Sequence, residues 1–260
     1  MFALNQKIGG YYAMRWTEQT LSSLPISGGY RLRGESMTRI EVFSDAAFAF
    51  AVTMLVISLS TIPQSYNELL IAIYGIPSFA ASFSIMMLIW VTHRRWSQRF
   101  GLDDGVSTFL TLALIFVVLI YVYPLKLIMD LMFYAFSQRF FPTDFQVSNT
   151  AEVAVLVGIF SVGLFLIALV HLCLYLRVSF KTDELCLSHL EQLLVRKEIL
   201  SWSVQIALSF LVASTALIFK SSMGYLAGIA FSLTPLLLPL VTLRTRREIR
   251  STKDKLAIHL

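Results

Sequence analysis

Residues 39–62 read RIEVFSDAAFAFAVTMLVISLSTI. From Ala46 onward the stretch carries no charge, and about 20 apolar residues cross a ~30 Å hydrocarbon core at 1.5 Å rise per residue. The reading is one membrane-spanning helix with an aspartate, Asp45, just inside its start. An ionised carboxylate next to lipid is costly, so such a residue faces protein or water and frequently marks function.

Charge-free runs of the same kind recur along the chain at 69–91, 106–125, 153–176, 199–219 and 221–243, beside the first at 46–67. Of 260 residues, 57% are hydrophobic and only 14% charged, where a soluble domain carries about 25% charged residues. The runs predict an all-α membrane protein with six transmembrane helices, because lipid offers no partner to unpaired backbone groups. The alternating ~10-residue segments of an outer-membrane barrel are missing from the sequence.

Basic residues set the expected orientation. With the N-terminus in the cytoplasm, 18 of the 21 Lys and Arg fall inside, leaving Lys126, Arg139 and Lys220 outside. Both termini are then cytoplasmic, and the protein is a multi-pass component of the cell membrane. The net charge of +5 follows from this topology and from anionic headgroups on the cytoplasmic side. Nucleic acid is not needed to explain it. Two cysteines, Cys173 and Cys186, are too few for a disulfide framework. Residues 1–35 read as a flexible cytoplasmic leader. Helix two is expected to kink at Pro77 and helix three to end at YVYPLK (residues 121–126). A Phe- and Tyr-rich external segment follows, and the linker between helices four and five reads as an amphipathic helix or a helix extension.

Catalysis and metal binding find little support. His93, His171, His189 and His259 are scattered without ligand spacing, so no metal, no cofactor and no enzyme activity are expected. His171 reads as a hydrogen-bonded packing residue. A potassium filter of the TVGYG type is absent from the sequence.

At 100° per residue, Phe43, Phe50, Met54 and Ile57 share one face of the first helix, ~60° wide, with Thr53 on its edge. On periodicity alone this stripe reads as an ordinary packing face. Asp45 and Ser44 lie off it. Arg39 and Asp45 are about 120° apart around the helix and poorly placed to pair. Asp45 is therefore expected to find its partner on another helix, where His93, Arg94 and Arg95 share its depth.

These residues carry a resemblance. Arg39-x-x-x-Phe43-Ser44-Asp45 matches the RxxxFSD signature of the transmembrane protein 175 family of potassium channels. The run SFSIMMLIWVTHRRW (residues 82–96) is similar to that family's helix-two ending, with Trp90-x-x-His93. The resemblance extends over about residues 35–245 and points to the single-repeat prokaryotic members. It implies a six-helix channel domain over 36–245 and a basic cytoplasmic tail over 246–260. It further implies a homotetramer whose first helices line a central pore, conducting potassium in preference to other cations. The implied constriction lies at Phe50, Met54 and Ile57, with Thr53 as pore-side hydroxyl. Arg39, Ser44, Asp45, Trp90 and His93 are implied as a structural polar network behind the pore. One departure is Phe50, where family members usually carry Ile or Leu.

Two other functions fit the composition. A proton-coupled secondary transporter would use Asp45 and His93 as titrating groups, but internal repeats with matching broken helices are expected there and are missing. The third is a non-conducting membrane scaffold.

Overall fold

The computed structural model describes residues 16–34, 36–57, 62–141, 143 and 145–218. In chain order these form α1 (Glu18–Ser23), a two-stranded hairpin of β1 (Ile26–Ser27) and β2 (Tyr30–Arg31), then α2 (Arg39–Ile57), α3 (Tyr66–Tyr74), α4 (Ile76–Phe100), α5 (Gly105–Phe136), α6 (Thr150–Phe180) and α7 (His189–Ile218). Five helical segments among the described residues are long and apolar enough to cross a membrane, with α3 and α4 forming one of them. They account for the first five predicted spans. The sixth, 221–243, and the tail 246–260 lie outside the described residues.

The helix starts are written locally. Thr38 accepts from the Glu41 backbone N–H while the Glu41 carboxylate accepts from the Thr38 N–H. Ser188 and Glu191 do the same at α7. Each is a capping box, which satisfies backbone donors that a helix start leaves orphaned. Asp104 and Asn149 cap α5 and α6 through single side-chain acceptors. Asp104 also pairs with Arg177 of α6. Burial pushes its carboxyl up, but hydrogen bonds from Ser107 and Arg177 outweigh that and hold it below the usual carboxylate range.

Two expectations about proline need correction. Pro77 does not kink a helix interior: the chain breaks at Gly75, and Pro77 sits in the first turn of α4, where its missing N–H costs nothing. Nor does helix three end at Pro124, because α5 continues through it to Phe136. Lys126, expected in an external loop, is buried within α5 and donates to both oxygens of Asp130, at 2.5 and 2.6 Å. Ser78 of α4 donates to the same carboxylate at 2.5 Å. This paired, hydrogen-bonded charge makes the extra turns tolerable at membrane depth. The linker expected between helices four and five is the extension: α7 begins at His189 and runs unbroken into the fifth span.

The described part of the leader is also docked rather than free. Ser27-Gly28-Gly29-Tyr30 closes the hairpin, with both glycines at positive φ, the backbone that a two-residue hairpin turn requires. Tyr30 is buried edge-on against Phe100, and Arg99 lies over its ring at 4.3 Å. Arg33 meets Glu191 bidentately at 2.8 and 3.0 Å, with both side chains essentially excluded from solvent. Gly34 donates to the Gln98 carbonyl at 3.0 Å, which anchors the chain to the end of α4 just before α2 begins. A side chain at Gly101, left-handed at the close of α4, would meet the Arg33 carbonyl at 2.7 Å, so only glycine admits this approach.

The main hydrophobic core runs between α2, α4, α5 and α6, with Phe48, Leu55, Met86, Leu114, Leu125 and Leu174 among its fully enclosed side chains. Between α5 and α6 the fit is close. A Cβ at Gly163 would lie 2.2 Å from the ring of Tyr121, itself buried and packed on Phe160. Gly163→Ala is therefore expected to destabilise the fold by about 1–3 kcal/mol through overpacking, read as a lower melting midpoint in detergent. An unchanged midpoint would show that Tyr121 can swing aside.

Candidate functional site

The helix α2 has two unlike faces. Ser44, Phe48, Ala51 and Leu55, spaced by four, three and four residues, are buried against the bundle. The opposite side carries Phe43, Phe50, Thr53 and Ile57, all exposed, with Phe50 at 58% and Ile57 at 72%. Met54 differs from the other stripe residues, being half-buried against the core. Thr53 bonds back to the Ala49 carbonyl at 3.0 Å. Among the described residues, Phe43, Phe50 and Ile57 are thus left largely uncovered, whereas Met54 packs on the core. A large apolar face left uncovered in this way marks a surface that meets lipid, a partner or a pore.

Behind α2, the Trp90 indole N–H donates to Asp45 Oδ1 at 2.8 Å. The partner of the aspartate is on another helix, as its angular position requires, but it is Trp90 of α4 rather than one of the neighbouring basic residues. Arg94 instead lies over the Trp90 ring, 5.2 Å from its centroid. His93 is buried and stacks on Trp96, with the ring of His171 edge-on to it at 6.5 Å. His171 is fully enclosed, with Nδ1 2.9 Å from the Ile167 carbonyl, the packing residue the sequence suggests. Ser44 is buried, and its hydroxyl has no hydrogen-bond partner among the described residues.

Among the described residues, Arg39 forms no hydrogen bond or ion pair with this cluster. It is exposed and, by helical angle, projects on the side of the Phe43–Ile57 stripe. The reason is geometric: the same 120° that keeps it from Asp45 turns it away from α4. Two residues absent from the sequence-derived set belong to the site instead. Glu41 closes its capping box and also accepts a hydrogen bond from Ser97 of α4. The Thr38-x-x-Glu41 spacing announces the cap, but nothing in the sequence announces the contact to Ser97, which depends on how α4 crosses α2. Among the described residues, no group of three His, Cys, Asp or Glu is placed to hold a metal ion.

Replacing Asp45 by alanine leaves the Trp90 N–H without its charged acceptor, a loss of about 1.5–3 kcal/mol. Asparagine keeps a carbonyl there, so Asp45→Asn is expected to lower the yield of monodisperse protein less than Asp45→Ala does. Equal yields from the two on size-exclusion chromatography would remove the hydrogen bond from the account.

The comparisons with known proteins fall on these same elements. Residues 39–124, which contain both motifs and the Asp45–Trp90 contact, match the family model described as the endosomal/lysosomal potassium channel TMEM175. A protein of Marivirga tractuosa named as a potassium channel is 42% identical over 101 residues, a match that covers 39% of this chain and 40% of that protein's length. The fold is similar to a crystal structure of the potassium channel MtTMEM175, a threonine-to-alanine variant in complex with a nanobody–MBP fusion protein. The TM-score is 0.75 at 27% identity, covering 85% of this chain and 99% of that one. A lysosomal potassium-selective channel TMEM175 homolog from Chamaesiphon minutus shares the fold with a TM-score of 0.51 at 19% identity, over 80% of this chain and 96% of that one. The resemblance read from the two motifs is borne out in sequence over the first part of the chain and in fold over most of it.

Proposed function

We propose that this chain, which shares motif, sequence and fold with the transmembrane protein 175 potassium channels, is a passive, potassium-preferring cation channel that assembles as a homotetramer around α2. One observation carries the reading. The first membrane helix is packed on one side by Phe48, Ala51 and Leu55, and on the other leaves Phe43, Phe50 and Ile57 exposed with Met54 at their edge. Four copies turned inward would stack rings of Phe50, Met54 and Ile57 along an axis, with Thr53 beside them. Apolar rings of this kind control passage by admitting or excluding water. No cofactor is required, and potassium itself is the cargo. The Asp45–Trp90 bond fixes the rotation of α2 about its own axis and thereby the direction of the stripe. Basic residues near the cytoplasmic ends hold anionic headgroups.

The experiment is cation flux from potassium-loaded proteoliposomes, with external potassium replaced by a large impermeant cation. Fast charge movement that falls when sodium replaces potassium supports the channel. Saturable, proton-coupled uptake would point to a transporter, and silence from well-formed tetramers to a scaffold. Within the channel reading, Ile57→Ala is expected to raise leak about threefold or more, on the order of 0.7 kcal/mol off the barrier. Normal tetramers with unchanged conductance would take Ile57 out of the constriction.

A further inference from the structure

Between α2 and α4, at the end of the bundle where the chain enters its first span, lies a cleft of about 330 Å³. Its wall includes Glu41, Ser44, Asp45, Trp90, His93 and Arg94. Three features of that wall are unbalanced. Among the described residues, neither Glu41 nor Asp45 forms an ion pair: Glu41 takes hydrogen bonds from the Thr38 N–H and the Ser97 hydroxyl, and Asp45 takes one from Trp90. The one cation of the wall, Arg94, is held over the Trp90 ring. Two residues of the wall, Ser44 and His93, are more than nine-tenths buried, and Ser44 Oγ and His93 Nδ1 have no hydrogen-bond partner among the described residues.

Orphaned buried polar atoms are rare and call for a ligand or water. Two carboxylates offer several lone pairs beyond those used here, and the imidazole and hydroxyl can accept as well. The complement is a small cation that carries several N–H donors. The volume exceeds what single waters need, at about 30 Å³ each, and Met37 and the Trp90 ring supply apolar wall for a short carbon chain.

We propose that this cleft binds the primary ammonium group of a short alkylamine, whose three N–H donors are shared among the acceptors of Asp45, Glu41, Ser44 and His93. The ligand then sits behind the pore helix and not in the pore. Because it bridges α2 and α4 at the contact that sets the rotation of α2, its occupancy stiffens that contact.

The test uses the purified full-length protein and needs no ion flux, so it stands or falls apart from the channel reading. Its melting midpoint is followed against ethylammonium chloride, with tetramethylammonium chloride and potassium chloride at equal ionic strength as controls. The first has N–H donors and the controls have none. Expected is a rise with ethylammonium alone that continues logarithmically beyond half-saturation, as ligand linkage requires. Glu41→Gln and Asp45→Asn each raise the half-saturating concentration about tenfold or more, the loss of one charged contact. Should one variant fail to fold, the other decides. An equal rise with potassium or tetramethylammonium, no rise at all, or a rise unchanged in the folded variants would overturn the proposal.

Discussion

Trimming Phe50 to alanine is expected to raise potassium flux through reconstituted protein about tenfold, equivalent to roughly 1.4 kcal/mol off the barrier to permeation. The phenyl ring projects from the exposed side of α2, between Phe43 one way and Ile57 the other. In a four-fold assembly four such rings would face one axis, and a bulky apolar ring excludes water more completely than an aliphatic one. Where water is excluded, a cation must shed hydration with no carbonyl cage to replace it. Removing four rings widens and wets that level while Ile57 and Met54 remain. Flux measured by potassium efflux from proteoliposomes, normalised to tetramer content, would therefore climb with little change in protein stability, since more than half of the residue is exposed. If flux is unaltered in properly assembled protein, Phe50 does not lie on the permeation path, and the stripe faces lipid instead.

The largest effect on stability is expected at the docked leader. Glu191→Ala strands Arg33, whose guanidinium is wholly enclosed and bonded to Glu191, the Leu185 carbonyl and the Arg31 carbonyl. Breaking a buried pair by removing one partner costs about 3–5 kcal/mol. The same carboxylate accepts from the Arg31 and Ser188 backbone N–H groups, so the variant also opens the hairpin's seat and the α7 cap. The expected readout is a large fall in melting midpoint, with faster amide exchange over 26–34. Replacing both members at once, Arg33→Met with Glu191→Leu, should recover the part of the loss that comes from the stranded guanidinium, because an apolar pair in place of a buried ion pair is often neutral, while the Arg31 and Ser188 N–H groups still lack their acceptor. A single Glu191→Ala variant that melts within about 0.5 kcal/mol of the parent, the usual range for a surface site, would show that the pair contributes little.

Much of the fold is written locally. Each membrane span announces itself by a charge-free run of 20 residues or more, since the bilayer's thickness fixes the length needed. The capping boxes at Thr38-x-x-Glu41 and Ser188-x-x-Glu191 are local as well, and so is the Gly28-Gly29 turn. That turn passes for a flexible stretch, because its stability comes from Tyr30 and Arg33 reaching residues far along the chain. The Pro124 expectation misses for the same kind of reason. A proline and a lysine read as a helix end until Asp130 and Ser78 supply the partners that keep both inside α5.

The site divides likewise. Helical angle alone puts Phe43, Phe50, Met54 and Ile57 on one side and sends Asp45 to another helix. Angle cannot say which side of a membrane helix is covered, because core and lipid favour the same apolar side chains. That was decided by the packing of α4 and α5 against α2, in which Phe48, Ala51 and Leu55 are buried while Phe43, Phe50 and Ile57 stay exposed. The choice of Trp90 over Arg94 as the partner of Asp45, the contact of Glu41 with Ser97, and the separation of Arg39 from both were likewise settled by how the helices cross. The sequence by itself determined where five of the helices cross and which residues share a helix face, because these follow from periodicity and bilayer thickness. Only the tertiary structure decided which face is packed and which polar groups meet, because those depend on distances between elements that no local pattern encodes.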